Sequence, residues 1–229
     1  MSLVWDCDQI KEFVEKALPK LEKDEVFIMM LCARKKYCSE LKRSEEGLCQ
    51  KVIRTNDPKI VTQKIEQITS SPYFQDGEKI PQKAMAVYID PNPKSTIKAF
   101  STFVKETMNQ VYSLTQNQDE SVYNYFRKLD VRLFSAIHRS TSRRWCWIID
   151  VDKKDQSLLH EILTKLGENT IWVTETRGGY HVLVRATKTA GKIIFTEIVK
   201  VQDVEIQKEA MTPIPGTIQG GFKVRKVIF

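Results

Sequence analysis

Short apolar runs alternate with amphipathic segments along the chain, and this pattern predicts a succession of strands and helices. The most distinct run, 145–151, is aromatic and β-branched, which predicts a strand buried on both faces. The segments after it predict a helix over 156–166 ended by Gly167, strands over 170–175 and 180–185 joined by a turn at Arg177-Gly178-Gly179, a helix over 187–200, a strand over 201–207, a loop over 211–221 and a last strand over 222–229.

This C-terminal succession determines the predicted fold class. The order strand, helix, strand, strand, helix, strand is that of a ferredoxin-like or RNA-recognition-like unit, built on an antiparallel or mixed sheet. Such a sheet can serve as the palm of a polymerase. The sequence therefore predicts an α+β protein with this unit in residues 81–229. A helix-rich N-terminal portion, residues 1–80, is expected to form one compact unit with it.

The first half of the chain gives weaker signals. Asp8 is a predicted helix cap, and 24–37 is either a helix or a buried strand, because its centre is apolar on every side. Two prolines after a strand at 84–89 rule out its continuation. The other predictions are a helix over 59–68, a loop over 70–77, helices over 96–114 and 123–137, and a polar connection over 116–120.

The charge of the chain suits a polyanionic partner, with 36 basic and 29 acidic residues, a net charge of +7 and a pI of about 9.1. No acid occurs over 131–149, where Arg139, Arg143 and Arg144 are predicted to form part of a template or primer groove. A solvated surface segment is the alternative. The cluster Arg34-Lys35-Lys36 either ends its element in solvent or meets phosphate.

Cysteine usage and hydropathy indicate where the protein works. Five cysteines without a C-x-x-C pair indicate neither a disulfide framework nor a standard zinc site. They favour a reducing, intracellular location, either cytoplasmic or nucleoid-associated. No apolar run approaches the roughly 20 residues of a membrane span, so no membrane partner is expected.

Two acids one residue apart, Asp150 and Asp152, are the first candidates for chemistry. Alternate residues of a strand point the same way, so their carboxylates project from one face, with the Cα atoms roughly 6 to 7 Å apart. Two like charges side by side are unfavourable unless a metal ion or a basic group neutralises them. They could therefore converge on one hard cation. The alternative is a strand that runs out into a solvated polar turn.

Three motifs in order resemble those of the archaeo-eukaryotic primase superfamily, the primase-polymerases. Ile148-Ile149-Asp150-Val151-Asp152 resembles the acidic motif of its palm strand, and Gly179-Tyr180-His181 resembles its small-x-His motif. Val204-Glu205-Ile206, or Gln202-Asp203-Val204, resembles the third acid on a hydrophobic strand. The loop at 213–221 resembles one that follows the third acid in plasmid and phage members. The resemblance covers roughly 143–229.

The resemblance implies a set of site residues. Asp150, Asp152 and Glu205 would be catalytic and would bind Mg²⁺ or Mn²⁺, with Asp203 as the other candidate third ligand. Gly179 and His181 would contact the incoming nucleotide. Arg177, Arg185 and Lys208 are further predicted phosphate contacts, and exposed salt bridges are the alternative role for each.

The leading hypothesis is a template-dependent nucleotidyltransferase, a primase or polymerase that extends a nucleic-acid strand. Its partners would be a nucleic-acid template and primer, nucleoside triphosphates and, from the family resemblance, a replicative helicase. A two-metal nuclease could use the same acids. A non-catalytic RNA- or single-strand-binding module is the third hypothesis, in which Trp145, Trp147 and Tyr180 would stack on bases.

Overall fold

The computed structural model describes residues 2–42, 45–117 and 121–228. Its strands are β1 (Glu25–Arg34), β2 (Glu45–Ile53), β3 (Phe74–Gln75), β4 (Glu78–Lys79), β5 (Met85–Ile89), β6 (Lys94–Ser95), β7 (Cys146–Val151), β8 (Thr170–Glu175), β9 (Tyr180–Arg185), β10 (Val204–Gln207), β11 (Thr212–Pro213), β12 (Ile218–Gln219), β13 (Phe222–Lys223) and β14 (Arg225–Lys226). Its helices are α1 (Cys7–Lys16), α2 (Pro58–Ser70), α3 (Thr96–Asn117), α4 (Ser121–Phe126), α5 (Leu129–Arg139), α6 (Gln156–Leu166) and α7 (Lys188–Thr196). The predicted α+β class is confirmed, and the paired strands are antiparallel.

The first sheet has the order β11-β5-β1-β2, with β6 also paired to β1. Strand β1 is at its centre and is buried along nearly its whole length, so the apolar segment after Asp24 is a strand and not a helix. Strand β2 was not predicted, because it is an edge strand that mixes charged, polar and apolar residues. Residues 1–80 therefore contribute two long strands as well as helices, and the prediction of a helix-rich portion was wrong.

The second sheet has the order β10-β7-β9-β8-β14. One face of β7 presents Trp147, Ile149 and Val151 to a core that includes residues of α6 and α7. The opposite face packs Cys146 into the core beneath the first sheet. Strands β8 and β9 and helix α6 have the predicted bounds, because a cap at Asp155, a helix end at Gly167 and a glycine turn mark them locally.

Several other boundaries differ from the predictions. Asp6, not Asp8, caps α1, since its carboxylate accepts the backbone N–H groups of Asp8 and Gln9. The single helix predicted over 123–137 is divided into α4 and α5, and the last strand into β13 and β14. Strand β10 begins only at Val204, and α3 extends to Asn117. Residues 118–120 of the predicted polar connection, and Phe229, lie outside the described residues.

Helix α3 forms where helical spacing predicted it, but one of its apolar faces is exposed. Ile97 is 70% exposed and Phe100 is 62% exposed, and Met108 lies on the same side of the helix. The helix packs against α5 through another face. None of the helices in the described part of the chain is long and apolar enough to cross a membrane.

Two segments hold the sheets together. Strand β11 pairs with β5 in the first sheet, and β14, which begins twelve residues after β11 ends, pairs with β8 in the second. The buried segment Asp90–Lys94 links them again, because Asn92 Oδ1 accepts the backbone N–H groups of Trp145 at 2.7 Å and Cys146 at 3.0 Å. These contacts fix the start of β7 against the first sheet.

Candidate active site

The two acids of the central strand lie at its C-terminal end. Asp150 is the penultimate residue of β7 and its side chain is 22% exposed, whereas Asp152, just beyond the strand, is exposed to solvent. The backbone N–H of Asp152 donates to the carbonyl of Asp203 at 3.0 Å, which holds the end of β7 next to the turn before β10. Both acids line the same cavity, as their spacing predicts.

Strand register places two more predicted site residues beside Asp150. His181 of β9 is its partner on one side, and Glu205 of β10 is its partner on the other. Paired residues of neighbouring antiparallel strands project from the same face, so these three side chains form a row across three strands. His181 Nε2 lies 3.3 Å from Asp150 Oδ1. The sequence motifs are therefore brought together by the sheet.

The acids open onto a cavity of about 250 Å³ between the two sheets. The first sheet, together with the turn that follows β1, supplies the opposite wall, which consists of Met30, Arg34, Lys36, Tyr37 and Tyr88. The second sheet and nearby loops supply the remaining side chains, which are Asp150, Asp152, Thr176, Gly178, Gly179, His181, Gln207, Met211 and Gln219. Two cationic side chains thus face two carboxylates across one cavity.

A hydrogen-bonded cluster around Tyr88 holds the cationic wall in place. The hydroxyl of Tyr88 receives hydrogen bonds from Arg34 Nη1 and Gln219 Nε2, each at 3.2 Å, and lies 3.2 Å from the hydroxyl of Tyr37. Burial raises the pKa of Tyr88 above its usual range, so the hydroxyl is neutral. Arg34 and Lys36 were candidates from the sequence. Tyr88 and Gln219 were not, because they meet Arg34 and each other only through contacts between distant segments.

The electrostatic environment changes the titration of both central groups. Burial, followed by the negative charges of Asp152 and Glu205, raises the pKa of Asp150 to about 6, although Lys36 and Arg34 oppose the shift. Burial, with the nearby positive charges of Lys36 and Arg34, lowers the pKa of His181 to about 4. His181 is therefore neutral near pH 7, and Asp150 carries a charge that the fold disfavours.

We expect Asp150→Asn to stabilise the protein above about pH 6. The raised pKa means that ionising Asp150 costs roughly 2 to 3 kcal/mol in the folded state, and this cost develops between about pH 4 and pH 6. Thermal or urea unfolding in EDTA should show little difference between wild type and variant at pH 4. The variant should be more stable at pH 7, and a pH-independent difference would contradict the assigned burial. The exposed Asp152→Asn is the control and should gain less.

The two glycines of the turn before His181 differ in their surroundings: Gly179 is tightly packed, whereas Gly178 faces open space. A Cβ atom at Gly179 would overlap the carbonyl oxygen of Val151, so only glycine fits there. Its N–H donates to Thr176 Oγ1 and its carbonyl accepts the N–H of Thr176, which closes the hairpin. Gly178 has open space around it, and so exposes its backbone to the cavity.

Three predicted phosphate contacts do not line this cavity. Arg177 donates to the carbonyl of Gly220 at 2.7 Å and lies over the ring of Tyr37. Arg185 is at the far end of β9, four residues from His181, which corresponds to about 13 Å along the strand. Lys208 lies over the ring of Phe195, on the helix-covered face of the sheet.

The three arginines of the predicted template or primer groove lie in different surroundings. Arg143 donates to both carboxylate oxygens of buried Glu25 at 3.0 Å, so it holds the fold together. Arg139 pairs with Glu106 at 3.0 Å and lines two surface cavities beside α5. Arg144 is exposed. Of the three arginines, Arg139 is the one that the structure places in a concave surface.

The aromatic rings proposed to stack on bases are not available for stacking. Trp147 is 9% exposed and Tyr180 is 5% exposed, and both lie in the core with α6 and α7. The indole N–H of the half-buried Trp145 donates to the carbonyl of Ala17 at 2.9 Å. The binding-module hypothesis in that form is therefore contradicted.

A divalent metal ion would fit these residues if substrate shared in holding it. Within the described ranges, no group of three or more His, Cys, Asp or Glu side chains is already arranged around a metal position. Mg²⁺ is commonly held by one or two carboxylates together with waters and substrate phosphates. Asp150 and Asp152 supply those carboxylates, and a cation would oppose the burial and the repulsion that together raise the pKa of Asp150. Asp203 lies next to Asp152 and Glu205 lies opposite Asp150, and Glu205 is favoured as the third ligand because its charge also acts on the pKa of Asp150.

Comparisons with family models, with curated proteins and with solved structures gave no match to this chain.

Proposed function

We propose that the protein is a template-dependent nucleotidyltransferase of the primase-polymerase type. The observation that carries the proposal is the cavity in which Asp150, Asp152 and His181 face Arg34 and Lys36. A nucleoside triphosphate bound to a divalent metal carries both a cation for the acids and an anion for the basic wall. The acids would bind the metal ion, and Arg34 and Lys36 would meet the phosphates.

The sheet geometry supports the same class of enzyme. The strand order β10-β7-β9-β8, antiparallel and with α6 and α7 on one face, is the order of a ferredoxin-like or RNA-recognition-like palm. The acids then lie on the face of the sheet away from the helices. That placement agrees with the resemblance of the three motifs to those of the archaeo-eukaryotic primase superfamily.

Each group in the cavity has a distinct proposed role. Metal ions held by Asp150 and Asp152, with Glu205 as third carboxylate, would activate a 3′-hydroxyl and orient the triphosphate. Arg34 and Lys36 would neutralise phosphate charge from the opposite wall, where the Tyr88 cluster already holds Arg34. Neutral His181 would donate one N–H to a phosphate oxygen.

The buried side of the His181 ring leaves two neighbouring polar atoms without a partner. His181 Nδ1 and Thr174 Oγ1, on paired positions of β9 and β8, are both buried without a hydrogen-bond partner. Unsatisfied buried polar atoms are uncommon and cost free energy. These two atoms are enclosed by the sheet, so a nucleotide in the cavity would meet the other ring nitrogen, Nε2, which lies 3.3 Å from Asp150 Oδ1.

We expect His181→Ala to slow nucleotide incorporation about tenfold to a hundredfold, because it removes one hydrogen bond to a charged group, worth roughly 1.5 to 3 kcal/mol. Single-turnover incorporation as a function of nucleotide concentration would measure the loss. His181→Gln keeps an N–H donor and should retain more activity. Equal losses in the two variants would argue against a phosphate contact.

A two-metal nuclease is the alternative that uses the same acids. The cationic wall favours polymerisation, because it provides countercharge for a triphosphate in addition to the two carboxylates. The distinguishing experiment is incubation of a labelled primer on a template with nucleotides and Mg²⁺ or Mn²⁺. Lengthening of the primer supports the proposal, and shortening supports the nuclease. The same reaction without primer tests initiation.

A further inference from the structure

The segment from α4 to the start of β7 holds most of the excess positive charge of the chain. Residues 121–144 contain six basic residues and one acid, whereas the whole chain has a net charge of +7. Two of the six are neutralised, since Arg139 pairs with Glu106 and Arg143 with Glu25. Lys128 and Arg132 are exposed, and no carboxylate of a described residue forms an ion pair with either.

Two surface cavities adjoin along α5. One, of about 520 Å³, lies between β2 and α5 and is lined by the apolar Leu48, Cys49, Val131 and Phe134, together with Asp130 and His138 among others. The other, of about 550 Å³, lies between α3, α4 and α5 and is lined by polar side chains, namely Glu106, Gln110, Asn124, Tyr125, Lys128, Arg132, Ser135 and Arg139. Ser135 and Arg139 line both cavities. An apolar depression and a basic one therefore lie side by side.

This surface lies next to the cavity that holds the acids. Met30 lines the acid cavity, and Gln50 lines the depression between β2 and α5. The two residues are register partners on β1 and β2, and Gln50 Nε2 lies 3.7 Å from Met30 Sδ. The spacing between β1 and β2 is roughly 5 Å, so a chain bound along α5 would end close to the rim of the acid cavity.

We propose that the two depressions along α5 form a binding track for single-stranded nucleic acid that leads to the acid cavity. Lys128 and Arg132 contact successive phosphates, and an unpaired base enters the apolar depression against Phe134. A single strand presents this alternation of anionic phosphates and flat apolar bases, whereas a duplex conceals its base faces. As the path of the template strand, the track rests on the proposed function, but as a binding site it can be tested without it.

The test is the affinity for a labelled single-stranded oligonucleotide over a salt series, measured by fluorescence anisotropy without divalent metal. Lys128→Ala/Arg132→Ala should weaken binding at least about tenfold. It should also lower the slope of log K against log salt by about 1.4, because each lost phosphate contact on a single strand contributes about 0.7. Lys188→Ala/Lys192→Ala on α7 is the matched control. Both of its lysines are exposed and four residues apart, on the opposite side of the second sheet, and it should change neither quantity.

Phe134→Ala provides a second, uncharged test. It should weaken binding roughly fivefold to a hundredfold by removing a stacking surface, with the salt slope unchanged. Thermal unfolding of each variant checks that the fold is intact. DNA and RNA oligonucleotides are compared in parallel, and a duplex of the same sequence should bind more weakly.

The possible results separate the track from the enzyme proposal. Equal losses in the α5 and α7 double variants, or equal binding of duplex and single strand, would overturn the track. Loss of binding only in the α5 variants would support it, even if the wild-type protein incorporated no nucleotide. Incorporation that persists with unchanged binding in the α5 variants would overturn the track and leave the enzyme proposal standing.

Discussion

Replacing both Asp150 and Asp152 by alanine is expected to reduce nucleotide incorporation by at least about a thousandfold. Metal-ion catalysis supplies several kcal/mol of transition-state stabilisation, and the double variant removes both carboxylates from the cavity. The measurement is the initial rate of primer extension with saturating nucleotide and Mg²⁺ or Mn²⁺. Activity within about tenfold of wild type would show that these acids do not hold the catalytic metal.

This double variant should remain folded, which makes its loss of activity interpretable. Burial and mutual repulsion oppose the charge of Asp150 in the absence of metal, so removing both carboxylates relieves an unfavourable interaction. Asp203→Ala and Glu205→Ala, compared singly, identify the third ligand. Glu205 lies opposite Asp150 and its charge acts on the pKa of that carboxyl, which predicts the larger loss for Glu205→Ala. A larger loss for Asp203→Ala would move that ligand without changing the mechanism.

Lys94→Met is expected to destabilise the protein by about 3 to 5 kcal/mol. Lys94 Nζ lies 2.8 Å from Asp90 Oδ2, and the two side chains are only 1% and 5% exposed. Removal of the cation leaves a buried carboxylate without its partner, which is far more costly than losing an exposed ion pair. Urea unfolding at pH 7 measures the change. A loss below about 1 kcal/mol would show that the pair does not stabilise this segment.

Two comparisons test the cause of that loss. Lys105→Met removes an exposed lysine from α3 and should change stability by less than about 0.5 kcal/mol. Asp90→Asn/Lys94→Met leaves no buried charge and should recover much of the stability. The destabilisation of Lys94→Met should also shrink at low pH. Burial already raises the pKa of Asp90, and the protonated carboxyl needs no cation.

The acidic and histidine motifs could be predicted from sequence because strand periodicity and local turn signals determine their placement. Asp150 and Asp152 share a face by spacing alone, and the glycine turn returns His181 towards them. The same periodicity argues against Lys208, an odd number of residues from Glu205 and hence on the opposite face. Arg185 lies on the same face of β9 as His181, but it is too far along the strand to reach the cavity.

The cationic wall could not be located from sequence because it depends on contacts between distant segments. Arg34 reaches the cavity only because β1 is central in the first sheet and the segment around Asn92 fixes β7 against it. The prolines of the segment Asp90-Pro91-Asn92-Pro93 predict only that the strand ends there, whereas these contacts bury the segment. Strand β2, which forms one side of the proposed track, could not be predicted because its sequence has neither a continuous apolar run nor a regular alternation of apolar and polar residues.

Templated nucleotide addition in the cavity between the two sheets is the activity that we propose for this protein. The most direct measurement presents the wild-type protein with a labelled primer on a homopolymer template, Mg²⁺ or Mn²⁺ and one nucleotide at a time, in ribo and deoxy forms. We expect the primer to lengthen only with the nucleotide complementary to the template, and we expect Asp150→Ala/Asp152→Ala to abolish this addition. Equal addition of all four nucleotides would contradict the role of the template. Primer shortening without addition would show that the site is a nuclease.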